Sequence, residues 1–126
     1  MSSAERAVHA GGATAAAKAA QTGFHAGIVA EVAAAVEANG IVVVGMAVNP
    51  AVKKACTLLK DGGHEFTFLT YGGYTSMWKE RLAIKMWSGW PTHPQVFAKG
   101  KLVGGASDLE AAMKDGTFKA LLASED

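Results

Sequence analysis

Ile41-Val42-Val43-Val44-Gly45-Met46-Ala47-Val48-Asn49-Pro50-Ala51-Val52-Lys53-Lys54-Ala55-Cys56-Thr57-Leu58-Leu59 is the stretch on which the fold turns. Its first four residues are a continuous β-branched run, which suits a strand buried on both faces. Asn49 then offers a favoured helix N-cap and Pro50 a favoured first helical residue. Val52, Ala55, Cys56 and Leu59 follow at spacings of three, one and three. That spacing is the apolar stripe of a helix packed on a sheet. The stretch therefore predicts a buried strand, a short connection and a helix whose N-terminus stands at the strand's end.

The pattern extends in both directions. Upstream, Ile28, Val29, Val32 and Val36 share one helical face, from about Phe24 to a stop at Asn39-Gly40. Downstream, Asp61-Gly62-Gly63 ends the central helix. Glu65 to Thr70 alternates through Phe66 and Phe68 and predicts a second strand. Tyr71-Gly72-Gly73-Tyr74 predicts a loop, and Ser76 to Met86 a helix with Trp78, Leu82 and Met86 on one side. Pro91 and Pro94 keep Gly89-Trp90-Pro91-Thr92-His93-Pro94 from being helical. Gln95 to Ala98 and Leu102-Val103 predict a hairpin around Lys99-Gly100. Gly104-Gly105 closes it, and Ser107-Asp108-Leu109-Glu110 predicts a capping-box start for the last helical region. Gly116 interrupts that region before Phe118, Leu121 and Leu122. Strand–helix–strand followed by an antiparallel hairpin implies an α/β fold, with a four-stranded mixed sheet and helices on both faces.

Composition narrows the function classes. The 126 residues suit one domain, and a net charge of +1 with dispersed basic residues argues against nucleic-acid or polybasic membrane attachment. No stretch approaches the roughly 18 apolar residues of a membrane span. Cys56 is the one cysteine, so neither an internal disulfide nor a multi-cysteine metal site can form. His25 and His64 have no partner at metal-ligand spacing, and no metal site is expected. Residues 1–22 hold nine alanines with scattered Ser, Thr and Gly. They are expected to form a flexible tail with nascent helix, ahead of a domain over 23–126. A cytoplasmic location is the expectation. Import into an organelle by residues 1–22 stays open, although Arg6, His9 and Lys18 are few and Glu5 opposes it.

From Phe24 to Leu122 the order of elements and three segments resemble the glutaredoxins. Asn49-Pro50-Ala51-Val52-Lys53-Lys54-Ala55 stands where that family has Cys-Pro-Tyr-Cys followed by Lys-Lys-Ala. Trp90-Pro91-Thr92-His93-Pro94-Gln95-Val96-Phe97 is similar to the segment carrying the family's cis-proline, in a form closest to the monothiol branch. Lys99-Gly100-Lys101-Leu102-Val103-Gly104-Gly105-Ala106-Ser107-Asp108-Leu109 is similar to the final hairpin and glycine pair. The resemblance implies a thioredoxin-like fold and a glutathione groove. It implies glutathione contacts at Asn49, Arg81, His93, Pro94, Ser107 and Asp108. Ser107 and Asp108 would hold the γ-glutamyl end, and the backbone before Pro94 would pair with the cysteinyl part. Arg81 would face the glycyl carboxylate, or else be a solvated helix arginine.

The departures matter equally. Asn49 and Val52 replace both family cysteines, and Met46 replaces the family's lysine. Thiol–disulfide exchange needs an attacking thiolate, and a bridging iron–sulfur cluster needs the same cysteine as ligand. No catalytic residue and no iron–sulfur cluster are therefore expected. Cys56 lies about two helical turns beyond Asn49 and is expected to be a buried, structural thiol. Two readings follow: a redox-inactive glutathione- or protein-binding module, or an enzyme that uses bound glutathione as the thiol with Asn49 as hydrogen-bond donor. Core and rim packing is the expectation for Trp78, Trp87 and Trp90. An exposed Trp87 or Met86 would point to a protein-binding face.

Overall fold

A computed structural model describes residues 7, 9–73 and 75–124. The helices are α1 (Ala15–Gly23), α2 (Ala26–Ala38), α3 (Pro50–Asp61), α4 (Trp78–Ser88), α5 (Ala106–Asp115) and α6 (Thr117–Ala123). The strands are β1 (Ile41–Gly45), β2 (Thr67–Thr70), β3 (Gln95–Ala98) and β4 (Lys101–Gly104). The strands form one mixed sheet in the order β2-β1-β3-β4. β1 pairs with β2 in parallel and with β3 antiparallel, and β4 pairs antiparallel with β3.

The run Ile41 to Val44 is apolar throughout because both faces of β1 are covered. Ile41 and Val43 pack with Ala55 and Leu59 of α3, Leu109 of α5 and Phe118 of α6. Val42 and Val44 face the other way, against Val32 and Val36 of α2 and Ile84 of α4. Successive side chains on a strand point to opposite faces, so one strand serves two cores. Gly45 ends it for a steric reason. A Cβ there would stand 2.6 Å from the Val52 side chain and 3.6 Å from Pro94 Cα. The close approach of β1, α3 and the segment before β3 needs a glycine at this point.

Asn49 caps α3 as its sequence position suggests. Its Oδ1 accepts from Ala51 N–H at 2.9 Å and Val52 N–H at 3.1 Å. Asn49→Ala removes that acceptor and is expected to destabilise the fold by about 1 kcal/mol, with Asn49→Asp close to neutral. Denaturant titration of the two variants measures the difference.

Four elements depart from the sequence expectation. The expected tail 1–22 holds all but the last residue of α1, an alanine-rich helix capped by Thr14 Oγ1 on Ala17 N–H, with no buried residue. Its first six residues and residue 8, like Tyr74 of the expected loop, lie outside the described residues. β2 starts at Thr67 rather than Glu65, because its pairing with β1 begins at Val42–Thr67. α4 starts at Trp78 rather than Ser76, after Met77 at a left-handed φ of 58°. α5 begins at Ala106, with Gly105 as N-cap, rather than at Ser107. There Asp108 Oδ2 accepts from Gly105 N–H at 2.9 Å, so Asp108, not Glu110, reaches back to the helix start. Gly104 permits the earlier start. Its φ is 124°, and a Cβ there would meet the Asp108 carboxyl at 2.8 Å.

Candidate functional site

The sheet register decides which candidate residues meet. Val44 of β1 lies beside Gln95 of β3, and Val96 beside Gly104 of β4. The C-terminal ends of β1 and β4 and the N-terminal end of β3 therefore share one edge of the molecule. Asn49 and the start of α3 follow the first of these. Pro94 precedes β3, and Ser107 and Asp108 follow β4. Pro94 stands at the centre of this arrangement. Its Cα approaches Gly45, and its carbonyl oxygen lies 3.7 Å from the Cβ position of Gly105. The His93–Pro94 peptide is cis.

Two helix N-termini, those of α3 and α5, flank this edge. Amides of a first helical turn lack intrahelical partners and carry the positive end of the macrodipole, so such termini favour anions. Ser107 and Asp108 lie within the first turn of α5 and are exposed. Asn49 keeps its Nδ2 without a partner among the described residues, while its Oδ1 is held by the cap.

The 90–95 segment carries buried polar atoms. Trp90 Nε1, His93 Nε2 and Gln95 Oε1 are enclosed without a partner among the described residues. Gln95 is fully buried, and its Nε2 donates to the Trp90 carbonyl at 3.1 Å. Trp90 Nε1 lies 3.8 Å from the Cβ position of Gly105, beside the start of α5. Burial pushes the His93 imidazole down to about 4, and the nearby Lys85 and Arg81 cations add to this. A histidine whose pKa falls on folding binds fewer protons folded than unfolded. Its stabilising contribution is whole above the ordinary value near 6.5 and is lost as pH falls toward 4. Chemical denaturation across that window should show a steeper loss of stability for this chain than for His93→Phe, by up to one proton.

Arg81 is not a solvated helix arginine. It is 8% exposed. Its guanidinium donates from Nη1 to the carbonyls of Tyr71 at 2.8 Å and Ser76 at 2.6 Å. It ties the Tyr71 and Ser76 backbone to α4. Cys56 is also not sealed in the core: it is half-buried, packed on one side against the α3 core and open on the other to a surface cleft. Burial raises its thiol pKa, against a smaller lowering by Lys60. Trp78 and Trp87 are not packed away either. They are 58% and 39% exposed, with Met86 53% exposed. The buried Gln95, the indole beside Gly105 and the cleft at Cys56 were not visible in the sequence. Only the alternation of Phe66 and Phe68 hinted at the cleft.

A glutaredoxin-like protein of Dictyostelium discoideum is 46% identical over 95 residues, covering 75% of this chain and 77% of that protein. The chain belongs to the glutaredoxin family. The chloroplastic bifunctional monothiol glutaredoxin-S16 of Arabidopsis thaliana is 43% identical over 42 residues, which are 33% of this chain and 14% of that protein. No family model matches the chain. Among solved structures, oxidized glutaredoxin 2 from Chlamydomonas reinhardtii superposes with a TM-score of 0.65 at 28% identity, over 77% of this chain and 92% of that one. A buckwheat glutaredoxin–glutathione complex superposes with a TM-score of 0.69 at 21% identity, over 77% of this chain and 88% of that one. The fold is thus the thioredoxin-like fold of glutaredoxins.

Proposed function

We propose that this chain is a redox-inactive glutaredoxin that binds glutathione and acts through a protein partner. The observation that carries the reading is the flanking of Pro94 by two helix N-termini, one of them capped by Asn49 instead of a cysteine. Glutathione is an anionic tripeptide, and its γ-glutamyl end carries both a carboxylate and an ammonium. The first-turn amides of α5 suit the carboxylate, and the exposed Asp108 suits the ammonium. Binding is weakened where Met46 offers no charge. A missing charged hydrogen bond costs about 1.5–3 kcal/mol, which is roughly tenfold to hundredfold in affinity. The exposed side of α4, with Trp78, Met86 and Trp87, supplies the apolar anchors that protein interfaces favour.

One feature favours a second reading, a glutathione-dependent enzyme without a protein nucleophile. The unpartnered Nδ2 of Asn49 is a donor able to stabilise a bound thiolate. An amide-shift titration with reduced glutathione tests both readings. Shifts at Asn49, His93, Ser107 and Asp108, weakened by Asp108→Ala, are expected. No turnover is expected in glutathione-coupled disulfide reduction. Turnover that survives Cys56→Ala and is lost in Asn49→Ala would establish the second reading. Absence of shifts up to millimolar glutathione would leave only the protein-binding role.

A further inference from the structure

A different concavity lies between α3 and the edge strand β2. It is a cleft of about 780 Å3 whose wall includes Asn49, Val52, Cys56, Phe66 and Phe68, with Lys53 and Lys60 as its charged residues among those described. That volume and that lining, apolar with a few polar groups, are those of small-molecule sites. Two elements and the 47–49 connection build it. Lys53, Cys56 and Lys60 are spaced three and four apart on α3, so they share one face over about 10 Å of helix. Phe66 and Phe68 alternate with Thr67 and stand on the α3 side of the sheet, while Leu69 packs on the other side. Because β2 has no neighbour beyond it in the sheet, the outer side of the cleft is open.

Its charge is uncompensated. Lys54, between the two cleft lysines in sequence, reaches Glu110 at 3.1 Å. Lys53 and Lys60 make no ion pair among the described residues. Lys60 lines the cleft on the same helix face as Cys56. The cleft also leaves large apolar groups open to water: Val48 is 74% and Phe68 38% exposed. An occupant that covers the apolar wall and presents an anion at the rim satisfies both features.

We propose that this cleft binds an anionic amphiphile, a medium-chain carboxylate. Its hydrocarbon chain lies along Val52, Cys56, Phe66 and Phe68, and its carboxylate meets the lysine pair. The cleft starts beside Asn49, which it shares with the candidate site at Pro94, and runs from there between α3 and β2; decanoate binding does not rest on glutathione binding.

Sodium decanoate, kept below its micelle concentration, is the probe. Saturable amide shifts are expected over 48–60 and 66–68. Decanoate is also expected to slow alkylation of Cys56 by an uncharged maleimide severalfold. The double charge reversal Lys53→Glu and Lys60→Glu should weaken decanoate at least tenfold and leave decanol unchanged. The milder pair Lys53→Gln and Lys60→Gln serves if the reversal disturbs the circular dichroism spectrum. Equal affinity for decanoate and decanol, charge variants without effect, or unprotected Cys56 would each overturn the proposal.

Discussion

Asn49→Cys, made in a Cys56→Ala background, is expected to create a thiol far more acidic than an ordinary cysteine and to switch on glutathione-dependent reduction. The side chain at 49 already receives the N–H groups of Ala51 and Val52, at 2.9 and 3.1 Å. Those donors and the α3 macrodipole would stabilise a thiolate in place of the amide oxygen. Cysteines at helix N-termini have pKa values of about 3.5–7.5 against about 8.5 unperturbed, and each unit is tenfold in thiolate at a pH below both. Alkylation near pH 6 should therefore run at least tenfold faster than that of Cys56 in the native chain, whose thiol burial pushes upward. With Val52 in the second position, no protein thiol resolves the adduct. The new thiolate would attack a glutathionylated substrate, release that substrate's thiolate and become glutathionylated itself. A free glutathione thiolate would then attack the adduct, restoring the cysteine and forming oxidised glutathione. An introduced thiol that titrates at the ordinary value would show that the helix N-terminus does not act as described.

Arg81→Leu is expected to be the most damaging single change near the site. It leaves the Tyr71 and Ser76 carbonyls without the buried donor they now share. An unsatisfied buried acceptor costs about 1–3 kcal/mol, and the leucine recovers only part of the lost packing. A loss of about 3–4 kcal/mol, or roughly 10–15 °C in Tm, is the expected result. The loop it holds also joins two elements. Tyr71 donates its hydroxyl to Glu31 of α2 at 2.6 Å, and the Gly72 carbonyl accepts from Ala47 N–H beside the α3 start. Damage at Arg81 should therefore spread to the segment before α3. Removing this cation should also let the His93 pKa rise toward its ordinary value, because Arg81 is one of the charges that depress it. Calorimetry and a histidine titration read the two effects separately. A variant within about 1 kcal/mol of the parent would show that water satisfies the two carbonyls and that the clamp is dispensable.

Much of this protein could be read from its sequence because the causes are local. A β-branched run, an Asn-Pro helix start and apolar spacings of three and four place β1 and α3 wherever the chain is put. Asn49 at the α3 terminus follows from the same local rules. Element ends were less legible. Ser107 and Gly105 are both acceptable caps, and the choice fell to Gly104, whose left-handed backbone brings the Asp108 carboxylate onto Gly105 N–H.

The side chains that define the candidate sites were settled by tertiary structure. On α4 alone, Arg81 is an ordinary polar position. It is buried with its donors taken up by the Tyr71 and Ser76 carbonyls, which only the folded chain brings beside it. Cys56 lies on the apolar stripe of α3, yet the edge position of β2 leaves the thiol on an open cleft. Trp90 Nε1 reaches the start of α5 because the segment before β3 and the turn after β4 meet at one end of the sheet. Spacing along the chain determines which face of an element is apolar. Which of those faces, and which polar atoms, find a partner is decided by segments tens of residues away, and only packing brings them together.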